Sequence, residues 1–272
     1  MAFFGIGILA LVCTSSLLVP IAYTYYDWNP STHIEKVGLG ISSVFVGQLS
    51  TILYFYMYKY NYLSSQCPPL LHDTTHVLSN YDFCQKVWNH LLQPEGFFLL
   101  GSYLFFTYYY NYLPDSYYKT TENIEPMKVV GLLCLQDALQ YGMHRFQHKT
   151  YTWLYQISHK PHHKHRPPIL FNAFDGSMLD TSIMIIIPLY VSCVMIHANV
   201  WTYMTFGTMY ANMLVWIHSE YVHPWESLFA IVGIGTSKDH RYHHQYYNCN
   251  YGHLFMYWDK LCGTHRTRDM HS

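Results

Sequence analysis

The chain has 272 residues, enough for one large domain or two small ones. Half of it is hydrophobic, only 11% is charged and the formal net charge is -1, which excludes the basic face of a nucleic-acid binder. The seven cysteines are odd in number and form no CxxC pair, so no disulfide framework is indicated; 28 tyrosines and long apolar runs point instead to a membrane protein.

Residues 3–26 carry no charge and are long enough to span a bilayer. With no basic n-region and no A-x-A site, they read as an uncleaved anchor. Gly5, Gly7 and Ala10 match a GxGxxA pattern, but no strand precedes it and no βαβ unit follows, so the glycines are read as helix-packing residues. Residues 37–58 form a second span, closed by Lys59, and 96–113 a third, ending at Pro114. Between them, 60–95 reads as a polar loop with short helices.

The fourth span starts at Pro126 and carries Gln136, Asp137 and Gln140. Asp137 and Gln140 share a helical face with His144 and His148. Two readings stay open: second-shell support for ligating histidines, or the polar face of a helix outside the membrane. Residues 178–217, uncharged except for Asp180, suffice for a hairpin of two more spans, with His197 at its turn. Such a hairpin brings His218 back to the side of His163.

The histidines fall into four groups. They are His144 and His148; His159, His162 and His163; His218 and His223; and His240, His243 and His244. Spacings of i, i+3 and i+4 place rings on one helical face, and no thiolate or carboxylate repeats alongside them. Imidazole binds iron, zinc, copper or nickel, and ten nitrogens would give two metals about five ligands each. Pro161 inside HKPHH disfavours helix at Lys160, so His159 is expected at or before a helix start. His72 and His76 share the i, i+4 spacing without a triplet and are read as ordinary loop residues. His165, His253 and His265 are read as second-shell or structural, and Asp239 and Asp259 as either orienting a ligand or capping a helix.

Ten of the 15 Lys and Arg residues lie in 145–166 and 238–268, which the positive-inside rule places in the cytosol. The expected fold is all-α and polytopic: about six transmembrane helices under a cytosolic histidine-rich di-metal site. The N-terminal spans occupy 1–125, the catalytic region 126–268 and a short tail 269–272.

The order HRFQH, HKPHH, HSEYVH, HRYHH and then NYGHLFMYWDKLCGTHR resembles the fatty acid hydroxylase/sterol desaturase superfamily of membrane non-haem di-iron oxygenases. The likeness covers about residues 126 to 268. Sterol desaturases tend to have a histidine and a proline before the DG that follows their second box. This chain reads FNAFDGSMLDT there, more similar to the branch described as alternative squalene epoxidases. The resemblance implies that the ten grouped histidines hold two iron ions that use O2. It implies electrons drawn indirectly from NAD(P)H through cytochrome b5 and its reductase. No HPGG-type haem-binding segment is present, so the donor is expected to be a separate protein. It further implies an integral enzyme of the endoplasmic reticulum with its site facing the cytosol. The expected substrate is a sterol or isoprenoid precursor, undergoing hydroxylation, desaturation or squalene epoxidation. The competing readings are a fatty acyl or sphingoid-base hydroxylase and a histidine-rich metal transporter. Against the transporter, the histidines gather at one face and most spans are uncharged.

Overall fold

A computed structural model describes residues 31–60, 80–149, 152–221, 223 and 225–267. The GxGxxA segment, the first expected span and the His72/His76 pair lie outside the described residues. Within them the chain is helical, and the only β feature is an isolated bridge between Ile234 and Phe255.

Ten helices follow in order: α1 (His33–Tyr60), α2 (Asn80–Leu92), α3 (Leu99–Tyr109), α4 (Pro126–Lys149), α5 (Thr152–Ile157), α6 (Met178–Met195), α7 (Val200–Ile217), α8 (Glu226–Ile231), α9 (Ser237–Tyr246) and α10 (Tyr257–Leu261). Among the described helices, α6 is the one long and apolar enough to cross a membrane. The expected third span is shorter as a helix than its apolar sequence suggests. Pro94–Phe98 forms a π-turn with Gly96 outside helical geometry, and Leu99–Tyr109 is a separate helix of 11 residues.

Helix α7 is the central strut. Asn199 starts it by accepting the Thr202 N–H, and 16 of its 18 residues are buried, so it is apolar all round because neighbours cover it all round. Helices α1 and α4 pack against it, and α1 also packs against α3. At Gly40 a Cβ would lie 2.9 Å from the Tyr108 ring, so the α1–α3 crossing is close enough there to demand glycine. Around α7 the core holds Tyr108, Tyr117, Leu132, Cys193, Trp201 and Phe206. The tyrosines bury their rings and anchor their hydroxyls on backbone: Tyr117 donates to the Ile196 carbonyl at 2.5 Å and Tyr118 to that of Thr107 at 2.9 Å.

Helices α6 and α7 are joined by a short turn that carries exposed His197, and each packs against α4. It returns the chain so that His218 lies 3.2 Å from His162, nitrogen to nitrogen.

Candidate metal centre

Four segments deliver the histidines. Pro126 fits the first turn of α4, where it needs no N–H partner. From there Asp137, Gln140, His144 and Gln147 recur on the buried face at helical spacing. Between α5 and a 3-10 turn at His162–Lys164, the chain passes through His159 and Pro161. The His159, His162 and His163 rings thus converge from a turn rather than from one helix. His218 caps the end of α7. Helix α9 carries His240, His243 and His244 on one face. It begins at a capping box in which Thr236 and Asp239 bond each other's backbone N–H.

Nine of the ten grouped histidines come together in two sets. His144, His148, His159, His163 and His243 form one; His162, His218, His240 and His244 form the other. Within each set the ligand atoms lie within 4.8 Å of one another. Two imidazoles on opposite sides of one ion, each about 2.1 Å from it, would stand about 4.2 Å apart. The sets adjoin: the His163 and His244 ring centroids are 4.5 Å apart.

The proton positions make these sets unlike ordinary buried histidines. His144 Nδ1 faces the Tyr251 carbonyl at 2.8 Å, and His159 Nδ1 faces the Asp180 carboxylate at 3.0 Å. Both acceptors lack a proton, so each Nδ1 must donate, leaving the Nε2 atoms as lone pairs. Those two Nε2 atoms face each other at 2.9 Å. Facing lone pairs need a cation between them. His243, whose Nδ1 donates to the Cys249 carbonyl at 2.8 Å, likewise turns its Nε2 to that of His163 at 3.1 Å. His218 donates from Nδ1 to the Leu214 carbonyl and turns Nε2 to that of His240 at 2.9 Å. Burial, reinforced by neighbouring histidines, pushes the His162 imidazolium down to about 4 and that of His243 to about 3. Both rings are therefore neutral at physiological pH and ready to ligate. The donor set fits a pair of imidazole-bound metal ions.

His223 falls outside both sets. It is buried and stacks on Trp225, with ring centroids 4.9 Å apart. Its sequence neighbour in the HSEYVH pattern, His218, enters the centre because it ends a helix aimed there. Five residues on, His223 lies past the end of α7.

The supporting residues are also rearranged. Asp137 touches no ligand ring. Its carboxylate accepts the N–H groups of His253, Leu254 and Phe255 at 3.3, 2.7 and 3.0 Å, pinning the loop whose Tyr251 carbonyl holds His144. Asp239 caps α9. Asp259 accepts from the backbone of Tyr251 and Gly252 and from the Thr264 hydroxyl. Asn250, in the left-handed region at φ 51°, bridges Asp239 and Arg266 backbone. A Cβ on Gly252 would meet the Phe255 carbonyl at 2.6 Å. The NYG…WD…GT motif is thus one knot that shapes the loop beneath His144.

Asp180 is the residue sequence reasoning passed over. It is buried, receives His159 Nδ1 and is itself bonded by Gln147 Nε2 at 3.2 Å. The available signal was its position as the lone charge in an apolar run.

A cavity of about 30 Å³ lies against the centre, with Gln140, His159, His162, His218 and His253 on one side and Phe174, Met184, Ile185 and Leu214 on the other. Gln140 does not support a histidine. Gln136 Nε2 must face the Ile185 carbonyl, and it also donates to the Tyr210 oxygen at 3.2 Å. The single Tyr210 proton then goes to the Gln140 carbonyl oxygen, leaving the Gln140 NH2 as the cavity-side group. On the opposite face of the histidines an open pocket of about 590 Å³ is lined by Lys149, Lys160, Lys164 and Arg166.

The Fatty acid hydroxylase family profile matches residues 129–264, half of the chain. The chain belongs to the fatty acid hydroxylase family. It is 42% identical over 263 residues to an alternative squalene epoxidase of Phaeodactylum tricornutum, covering 93% of this chain and 75% of that protein. It is 29% identical to human cholesterol 25-hydroxylase over 152 residues, 51% of each chain. It is 26% identical to rat methylsterol monooxygenase 1 over 137 residues, 50% of this chain and 46% of that one. The chain therefore spans three quarters of the epoxidase and about half of the two sterol enzymes. No solved structure matches it. The histidine sets are compatible with metal binding, and the relatives support an oxidoreductase acting on lipids of the sterol pathway class.

Proposed function

We propose that this protein is an O2-dependent di-iron oxidoreductase of the endoplasmic reticulum membrane, and that its reaction is squalene epoxidation. The observation that carries the reading is the pair of adjoining histidine sets, nine imidazoles whose ring nitrogens converge, with the lone pairs of His144 and His159 facing each other at 2.9 Å. The 42% identity to an alternative squalene epoxidase over 93% of the chain supports this choice of reaction.

His144, His148, His159, His163 and His243 would hold one iron, and His162, His218, His240 and His244 the other. The bound pair supplies O2 activation and oxygen transfer to a C=C bond. The protein holds the ligands by their Nδ1 protons, so that the Nε2 lone pairs stay directed inward. Phe174, Met184, Ile185 and Leu214 give the cavity of about 30 Å³ an apolar wall, with room for a reacting oxygen atom rather than for a whole hydrocarbon chain. Gln140 offers an N–H donor beside the histidines, suited to an oxygen atom being placed on the substrate. Positioning of the double bond nearer than any weak C–H bond decides epoxidation over hydroxylation.

Six spans are consistent with the exposed apolar rows on three helices: Ile41, Leu49 and Leu53 on α1, Phe105 and Phe106 on α3, and Ile187, Val194 and Met195 on α6. The catalytic region is 126–268, preceded by N-terminal spans. Lys149, Lys160, Lys164 and Arg166 beside the centre suit an acidic electron donor on the cytosolic side, such as cytochrome b5 with its reductase.

The test is complementation of cells lacking their own squalene epoxidase, with a compatible donor present and oxidosqualene measured directly. Growth with oxidosqualene is the expected result. Verified expression with squalene alone accumulating overturns the reaction. New hydroxylated sterols would instead favour the chemistry of the cholesterol 25-hydroxylase relatives.

A further inference from the structure

We infer that His253 is the tenth imidazole of the centre, completing the four-histidine set in the place expected of His223. The inference rests on the di-metal reading above. Three observations carry it.

The first is position. The His253 ring centroid is 5.3 Å from that of His240 and 4.9 Å from that of His144, one member of each set. Within the four-histidine set, neighbouring ring centroids range from 4.2 Å for His218 and His240 to 6.2 Å for His162 and His240. His253 therefore stands within that range of His240 in the four-histidine set, and slightly nearer to His144 of the other. It also borders the cavity shared by His159, His162 and His218.

The second is chemistry. His253 is buried, and its Nδ1 makes no hydrogen bond, a state it shares with His240 and His244 of the four-histidine set. The third is anchorage. The His253 N–H and the next two backbone N–H groups are all taken by Asp137, so the ring is presented by a backbone that a buried carboxylate fixes. Such rigidity suits a ligand more than a space-filling residue. Five imidazoles already serve the other set, which leaves the four-histidine set as the one with room.

The test uses the full-length protein in detergent, loaded with iron or with cobalt(II) as a spectroscopic probe. Metal per chain is measured by mass spectrometry, and folding by circular dichroism. Wild type is expected to hold two ions. His253→Ala should keep one, with the second bound at least about tenfold more weakly, and its cobalt spectrum should shift toward lower coordination. Free imidazole added to His253→Ala should restore the second ion, a rescue that a packing role would not produce. His223→Ala should retain two ions and an unchanged cobalt spectrum. His253→Gln, closer to histidine in volume, covers the case in which the alanine variant fails to fold and should show the same loss. Two ions held with wild-type affinity and spectrum in the His253 variants overturn the inference while leaving the di-metal reading intact. Wild-type protein that takes up no metal overturns both.

Discussion

The two histidine sets are built differently. The five-histidine set is braced from three directions: His144 by the Tyr251 carbonyl, His159 by the Asp180 carboxylate and His243 by the Cys249 carbonyl. In the four-histidine set His218 has the Leu214 carbonyl, whereas the Nδ1 atoms of His240 and His244, like that of His163 in the other set, make no hydrogen bond. Outer partners fix ring orientation and raise ligand basicity, so the braced set should hold its ion more tightly. One site is held by its surroundings; the other depends more on the ion itself to order its ligands.

The largest expected effect comes from removing a ligand. His163→Ala takes a ring from the braced set beside His244 of the other set, 4.5 Å away centroid to centroid, and should abolish turnover while membrane insertion persists. Retained activity together with two bound metals would break the comparison at its base.

Asp137→Ala strips the acceptor from three backbone N–H groups and loosens the loop that braces His144. Buried unpaired donors of this kind cost about 3 kcal/mol or more in total. Thermal unfolding should show that loss, and Asp137→Asn, which keeps one acceptor oxygen, should recover part of it.

Asp180→Asn weakens the partner of His159 without removing a ligand. Metal affinity of the five-histidine set should fall by roughly 10–100-fold, while the four-histidine set changes little. A stepwise chelator titration measures this. In wild type the four-histidine ion should leave first, and in Asp180→Asn the two steps should approach or exchange order.

A pH test probes the loop that follows His159, His162 and His163. Burial alone would push the Asp175 carboxyl up, but bonds from His165 and Lys164, both at 2.6 Å, outweigh it and hold it well below the usual carboxylate range. A depressed folded value means that the unfolded chain takes up the proton first. The contribution is therefore complete above the ordinary carboxylate range and is lost as pH falls through the lower, folded value. Asp175→Asn should cost about 2 kcal/mol at neutral pH, and the difference from wild type should shrink in acid. A gap that stays constant with pH would remove the ion-pair explanation.

The smallest expected change is at the start of α9. Thr236→Ala removes the cap of the helix that serves both sets and should cost about 1 kcal/mol, read by thermal unfolding, with two metals still bound.

Much of the centre was legible in the sequence because helical spacing is a local property. His144 sits four residues before His148, and His240, His243 and His244 follow i, i+3, i+4; any helix there puts them on one face. The return of His218 to the side of His163 was legible too, since two apolar segments joined by a short turn run back along the same core, here against α4. At His223 the ring lies outside both sets, where the pattern runs on but the helix carrying His218 has ended. Asp137 lay on the expected face yet serves backbone, because its depth on α4 coincides with the loop at 253–255 rather than with a ring. The third apolar stretch was read by composition as a span, and Pro94 and Gly96 break its geometry before Leu99.

By itself, the sequence determined the helical class, the four histidine groups and the chemistry of their donors, since periodicity and residue type survive in one dimension. The tertiary structure decided how nine rings divide into two sets, that Asp180 rather than Asp137 accepts a bond from one of these histidines, and that the His253 ring lies near His144 and His240 while His223 stacks on Trp225. These depend on which carbonyl or carboxylate meets which ring across separations such as the 107 residues between His144 and Tyr251. Contacts of that kind arise from packing, and no local pattern encodes them.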